Sequence, residues 1–172
     1  MLLKMYNATK FLIERQHREI GFVGNINLTN SIRDRYLGYY RALIENGIKI
    51  NTDYIIKERN DDNNDIDIVL PSTMPTSFVC NSDQAAFRLM EALEKANLRV
   101  PEDVSVIGFD DTLYSITSRP KLTTVSVNRK SMAENAITMI MDLLENSNLI
   151  PRKIVVSTSI IDRNSVATPR KK

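Results

Sequence analysis

The chain has 172 residues, of which 42% are hydrophobic and 26% charged, enough for one well-buried core and too few for two full-sized domains. Its 23 Lys and Arg against 21 Asp and Glu leave a net charge of +2; the basic residues are scattered, which argues against a nucleic-acid surface built on bulk charge. A lone cysteine, Cys80, excludes an internal disulfide and any zinc site of ordinary Cys/His spacing, and no run is apolar enough for a membrane span or an export signal, so the sequence reads as a cytoplasmic protein with no membrane partner.

In chain order, residues 6–16 repeat apolar groups at helical spacing (Ala8, Phe11, Leu12), and a short strand follows at Ile20–Val23. Residues 32–46 place Ile32, Tyr36, Tyr39, Tyr40, Leu43 and Ile44 on one helical stripe that stops at Gly47, a residue suited to a left-handed C-cap. Strands are predicted at 54–57 and Ser77–Cys80, then a helix over 84–96 striped by Ala86, Leu89, Met90 and Leu93. Strands at 104–109 and 122–127 precede a helix over 132–145, with Met132, Ala136, Met139, Ile140, Leu143 and Leu144 on its stripe and a capping box from Ser131 and Glu134. A last strand is predicted at 154–157, continuing through 160–161. All four stripes are expected to pack on the sheet. Strands alternating with helices predict an α/β fold, a parallel sheet flanked by helices on both faces.

The stretch 58–67, ERNDDNNDID, has neither period and is crowded with Asp and Asn. It reads as a solvated loop; a calcium loop would need a sharp-turn glycine and a flanking helix pair, both absent. Residues 170–172 read as a frayed basic tail.

Ligands of a parallel α/β sheet bind beyond the carboxyl ends of its strands, where loops vary while the sheet holds them. That rule selects Asp110 and Asp111 after 104–109, Asn81, Ser82 and Asp83 after Ser77–Cys80, and Gly24 and Asn25 after Ile20–Val23, with Ser31, Arg33 and Arg35 soon behind. Such groups can satisfy sugar hydroxyls or the anionic group of a small metabolite, each charge-assisted hydrogen bond contributing roughly 1.5–3 kcal/mol. Asp83 is expected to cap the helix beginning at Gln84, one of the Asp110 and Asp111 pair to close a turn, and only one of Arg33 and Arg35 to face a pocket. His17, the single histidine, has no nucleophile or metal-ligand partner at readable spacing and takes a loop or interface role; Cys80 is a buried, inert thiol. No G-x-G-x-x-G, P-loop or G-x-S-x-G occurs, so no enzyme, cofactor or metal is implied.

HREIGFVG at 17–24, SIRDRYLGYYRAL at 31–43, TSFVCNSDQAA at 76–86, LRVPEDVSVIGFDD at 98–111, RPKLTTVSV at 119–127 and SIIDRNSV at 159–166 resemble, in order, the effector-binding part of the LacI/GalR family of bacterial transcription regulators. The resemblance runs from about residue 6 to 166, and RVPEDVSVIGFDD followed by P-x-LTTV is its specific signal. It implies a periplasmic-binding-protein-like fold (type I) of two lobes around a cleft, a small-molecule effector, homodimers, and operator binding only through a helix-turn-helix headpiece that this sequence lacks. By resemblance Arg35 contacts the effector and Asp110 accepts its hydrogen bonds. Ser31 stands where some sugar-responsive members use a serine, and Ser82 where the family usually has Asn. Residues 1–172 then form a partial effector-binding domain, chiefly the C-terminal lobe, with 1–16 and about 128–146 belonging to the neighbouring lobe. The segment between Lys57 and Pro75 is shorter and more acidic than its family counterpart. The reading is a sugar- or metabolite-binding repressor module acting without catalysis; the alternatives are a periplasmic-type sugar receptor, or a receiver-like phosphotransfer domain with Asp110 and Asp111 as a magnesium pair.

Overall fold

A computed structural model describes residues 2–145, 150 and 152–170; Lys171 and Lys172 of the expected tail, and residue 146 of the segment assigned to the other lobe, lie outside them. Helix α1 (Leu2–Glu14) leads into β1 (Ile20–Val23), α2 (Asn30–Glu45), a single 3-10 turn at Thr52–Tyr54, and β2 (Ile55–Ile56). Then come β3 (Ser77–Cys80), α3 (Asp83–Lys95), β4 (Ser105–Asp110), the short α4 (Leu113–Thr117), β5 (Thr123–Val127), α5 (Arg129–Glu145) and β6 (Thr158–Ile161). One sheet of order β2-β1-β3-β4-β5-β6 results, parallel except that β6 runs antiparallel to β5. This is the expected α/β architecture with an antiparallel edge added.

Both faces of the inner strands are apolar, as covering helices on both sides require. Phe22, Val79, Ile107, Phe109 and Val125 pack on one face beneath α1 and α2. Val23, Phe78, Cys80 and Val106 pack on the other with Ala86, Leu89 and Leu93 of α3. The helix assigned to a neighbouring lobe, α1, lies in the first of these cores and buries Met5, Ala8 and Leu12 there. Its contact with α2 is close because Gly38 has no side chain: a Cβ would sit 2.1 Å from the Leu2 carbonyl oxygen. Gly47 ends α2 with φ +65°, as its position implied.

Several expectations shift. The last strand is Thr158–Ile161 and not 154–157: pairing with β5 selects the later segment, while Ile154 and Val155 are exposed. Tyr40 and Ile44 of the α2 stripe are exposed, since α1 and the sheet cover only the face carrying Arg35, Tyr39, Ala42 and Leu43. The α5 stripe buries nothing: no residue of this helix is buried among the described residues. Its start is capped by the Asn128 side chain, which accepts from Ser131 N at 3.0 Å, in place of a Ser131 and Glu134 box. Ser82, not Asp83, caps α3, its Oγ accepting from Ala85 N at 3.1 Å.

Candidate functional site

Because β1, β3 and β4 are parallel, their carboxyl ends share one edge of the sheet. Helix α2 leaves β1 toward one face and α3 leaves β3 toward the other, and at such a switch point the diverging helices open a crevice. A cleft of about 290 Å³ lies there, lined by the first turns of α2 and α3 and by residues of the loop after β2.

Arg35, in the second turn of α2, is 9% exposed. It donates from Nη1 to the Asn81 carbonyl at the end of β3 and from Nη2 to Asp110 Oδ1 at 3.4 Å, and its guanidinium lies 4.1 Å above the Phe109 ring. The ring face and the carboxylate both favour a cation there, against a burial that lowers its pKa while Asp110 and Asp83 raise it. Asp110 is pushed above the ordinary carboxylate range by burial, an effect that Arg35 and Arg129 oppose. The two residues that the strand-end rule and the resemblance select therefore meet at the same edge. Arg33 is exposed.

Asp110 and Asp111 close β4 with φ of +103° and +53°, a conformation that costs L residues of order 1–3 kcal/mol each and persists only when its surroundings enforce it. Arg129 enforces it by donating to both carbonyls, at 2.9 and 3.2 Å, and Arg163 donates to Asp111 Oδ1 at 2.7 Å. Burial works against the Asp111 charge, but Arg163 and the hydroxyls of Ser126 and Ser115 outweigh it and hold its pKa low. Asp111 is thus the turn-closing member of the pair and Asp110 the one that faces Arg35.

Asp83 is fully buried and bridges elements: its carboxylate accepts from Thr124 Oγ1, from Thr112 N at 2.6 Å and from Thr112 Oγ1 at 3.1 Å. Burial raises its pKa against these hydrogen bonds. The bare Gly108 lets β4 pass beside it, since a Cβ would stand 2.4 Å from Asp83 Oδ1. Ser31 and Ser82 both line the cleft. His17 is buried, with Nδ1 2.9 Å from Thr76 Oγ1 and Nε2 2.8 Å from the Ala167 carbonyl, so it ties the C-terminal segment to the sheet. Cys80 is buried, and burial raises its thiol pKa well above the ordinary value.

The loop 58–67 is a wall of the cleft and not a free solvated turn. Glu58 is 3% exposed; it accepts from Asn25 N at 2.9 Å and Asn81 Nδ2 at 2.6 Å, joining the ends of β1 and β3. Asp65 pairs with both Arg59 (3.2 Å) and Arg88 (3.1 Å), and Arg88 also donates to the Glu58 and Ile66 carbonyls, bolting the loop to α3. Among the described residues no cluster of three or more His, Cys, Asp or Glu is placed to hold a metal ion, and no helix is long and apolar enough to cross a membrane. Glu58, Arg59, Gln84, Arg88, Arg129 and Arg163 are site residues that sequence reasoning missed. A readable trace existed only for Gln84 and Arg88, one helical turn apart just beyond a strand end.

Residues 9–166 match the periplasmic binding protein-like domain family. The chain belongs to this family, in its LacI/GalR branch. It is 31% identical over 166 residues to the HTH-type transcriptional repressor PurR of Pectobacterium atrosepticum, covering 94% of this chain and 49% of that protein. It is 33% identical to PurR of Escherichia coli O1:K1, with the same shares covered. The chain spans about half the length of the curated relatives it matches. Among solved structures, a LacI-family sugar-binding transcriptional regulator from Escherichia coli complexed with phosphate superposes with a TM-score of 0.80 at 27% identity, over 96% of this chain and 61% of that one. A LacI-type transcription regulator from Bifidobacterium animalis subsp. lactis shares the fold, with a TM-score of 0.81 at 22% identity, over 96% of this chain and 65% of that one.

Proposed function

We propose that this domain is the effector-binding and dimerising module of a bacterial transcriptional repressor, acting in the cytoplasm by binding alone. Its effector is a small polar metabolite of the sugar class, held at the edge where β1, β3 and β4 end. The observation that carries the reading is the meeting of Arg35 and Asp110 over Phe109 at that edge, 3.4 Å apart. A donor on α2 and an acceptor closing β4, the first buried and the second half-buried, are what a hydroxylated ligand needs at each end.

The relatives support the regulatory context: those matched at 31–33% identity are named transcriptional repressors, and one neighbour at 27% is named sugar-binding. In the parent protein occupancy would bias the headpieces on an operator, and a typical coupling of about 1–3 kcal/mol gives a several-fold change in occupancy. A transport receptor is not favoured by relatives named as repressors. The phosphotransfer reading is disfavoured by geometry, since Asp83 is enclosed by Thr112 and Thr124 and Asp111 is paired with Arg163.

The test is thermal-shift screening of the purified chain against common mono- and disaccharides and their acid and phosphate derivatives, followed by calorimetry on those that bind. Arg35→Ala and Asp110→Ala should each abolish binding while leaving the circular dichroism unchanged. Unaltered affinity in both variants overturns the assignment.

A further inference from the structure

The cleft offers hydrogen-bond donors far more freely than acceptors. Its side-chain acceptors, the Ser31 hydroxyl apart, are engaged inside the protein. Gln84 Oε1 and Asn63 Oδ1 each accept from Arg59 at 3.0 Å. Both Glu58 oxygens are taken by Asn25 N and Asn81 Nδ2. The hydroxyls of Thr29 and Ser82 accept from Ile32 N at 3.2 Å and Ala85 N at 3.1 Å as helix caps. The Asn81 carbonyl takes Arg35.

What remains points outward as N–H and O–H. With its oxygen turned to a guanidinium, each of Gln84 and Asn63 must turn its amide N–H₂ the other way, because two donors cannot face each other. A cap hydroxyl that accepts from the helix keeps its proton free to donate. Arg59 and Arg88 share a single carboxylate, Asp65, and each retains N–H groups beyond its contacts within the loop. Of the charged residues that line the cleft, Arg35, Arg59 and Arg88 are cations and Glu58 is an anion, which leaves the cavity face cationic. The nearest buried carboxylate, Glu58, is 3% exposed and accepts inside the protein through both oxygens.

From this donor surplus we infer that the effector presents an oxyanion, a phosphoryl or carboxylate group, to the wall formed by Arg59, Gln84 and Arg88. The inference rests on the effector cleft proposed above and narrows its ligand. A neutral sugar brings hydroxyls that donate as well as accept, and at this wall its donors would find few partners, a loss that discriminates between ligands. A phosphoryl or carboxylate oxygen only accepts, and the guanidinium fork matches its geometry. The Arg35 and Asp110 end, with one acceptor available, would take the hydroxylated remainder.

The experiment is a ¹H–¹⁵N NMR titration of the intact chain at constant ionic strength with inorganic phosphate, acetate and D-glucose as separate probes. Phosphate should give saturable shifts at the Ser82 and Gln84 amides, the Asn63 and Gln84 side-chain amides and the Arg59 and Arg88 Nε–H. Arg59→Gln should weaken phosphate about tenfold, the equivalent of one lost charge-assisted hydrogen bond, and Arg59→Lys should recover part of it. Arg88→Gln is the second variant, with the unchanged β3 and β4 amide spectrum reporting that each variant is folded. Acetate moving the same signals would assign a general oxyanion site, and phosphate alone a phosphoryl site; either supports the inference. Glucose moving the cleft signals while neither anion does overturns the oxyanion and leaves the effector cleft standing. No response to any of the three, or anion shifts spread over the surface and indifferent to Arg59→Gln, overturns the inference outright.

Discussion

Gly38→Ala sets two effects against each other, and the structure decides between them. In a helix interior alanine is favoured over glycine by about 1 kcal/mol, so propensity alone makes the substitution stabilising. Yet the new Cβ would lie 2.1 Å from the Leu2 carbonyl oxygen and 2.9 Å from the Tyr6 amide nitrogen, both backbone atoms of α1. Carbon and oxygen rest roughly 3.3–3.6 Å apart, so α1 must retreat by roughly 1 Å. That retreat loosens a contact in which Met5, Ala8, Leu12, Tyr39 and Ala42 are fully buried. Overpacking costs about 1–3 kcal/mol, and the upper end applies where backbone and not a side-chain tip must yield. The net expectation is a loss of about 2 kcal/mol, or about 4–8 °C in Tm for a chain of this size. Urea unfolding followed by circular dichroism measures it. A variant as stable as the parent, or more so, would refute the close-packing account of the α1 and α2 interface.

Two further outcomes follow from the buried polar groups. Asp83→Asn should change stability by less than about 1 kcal/mol, because its oxygen can keep the Thr112 N–H, its N–H₂ can donate to Thr124, and the ionised form is already disfavoured by burial. Asp83→Ala should lose about 2–3 kcal/mol by stranding those partners; equal losses in the two variants would show that charge, not hydrogen bonding, is what the site requires. His17 has a pKa lowered by burial, so its contribution is present above the unfolded value near 6.5 and is lost as pH falls below it. It is the only histidine, so denaturation at pH 7 and pH 5 should show a steeper loss for the parent than for His17→Gln; matching slopes would contradict the assignment.

The strands most legible in the sequence were those buried on both faces. Ile20–Val23 and Ser77–Cys80 read true to the residue because an apolar run bounded by polar groups leaves one register. At 154–157 the same logic misled: the β-branched run there is more apolar than Thr158–Ile161, but hydrogen bonding to β5, a non-local event, chooses the later segment. α4 spans five residues, too short to show a helical period. The α5 stripe displays a period correctly without saying whether anything packs on it. In the site, Arg35 and Asp110 were readable because strand ends and the family-like pattern both mark them. Glu58, Arg59 and Arg88 were not, because an aperiodic Asp- and Asn-rich loop carries no mark of what its side chains reach.

That difference in legibility follows a difference in how the cleft wall and the Arg35 and Asp110 pair beside it are held. Arg35 and Asp110 are fixed by the sheet: a strand-end carbonyl, an aromatic ring of the core and a backbone turn clamped by Arg129. Moving either would disturb β3 or β4. The opposite wall is held by side chains binding one another, Arg59 to Asn63, Gln84 and Asp65, and Arg88 to Asp65 and two loop carbonyls. Such a wall can be exchanged for another loop of different charge without repacking the core, since the only loop side chain driven deep into the fold is Glu58, at the junction of β1 and β3. In the proposed site the grip on a ligand would therefore be inherited with the sheet, whereas the choice of ligand would be written in the segment 59–66 and the face of α3 that it meets.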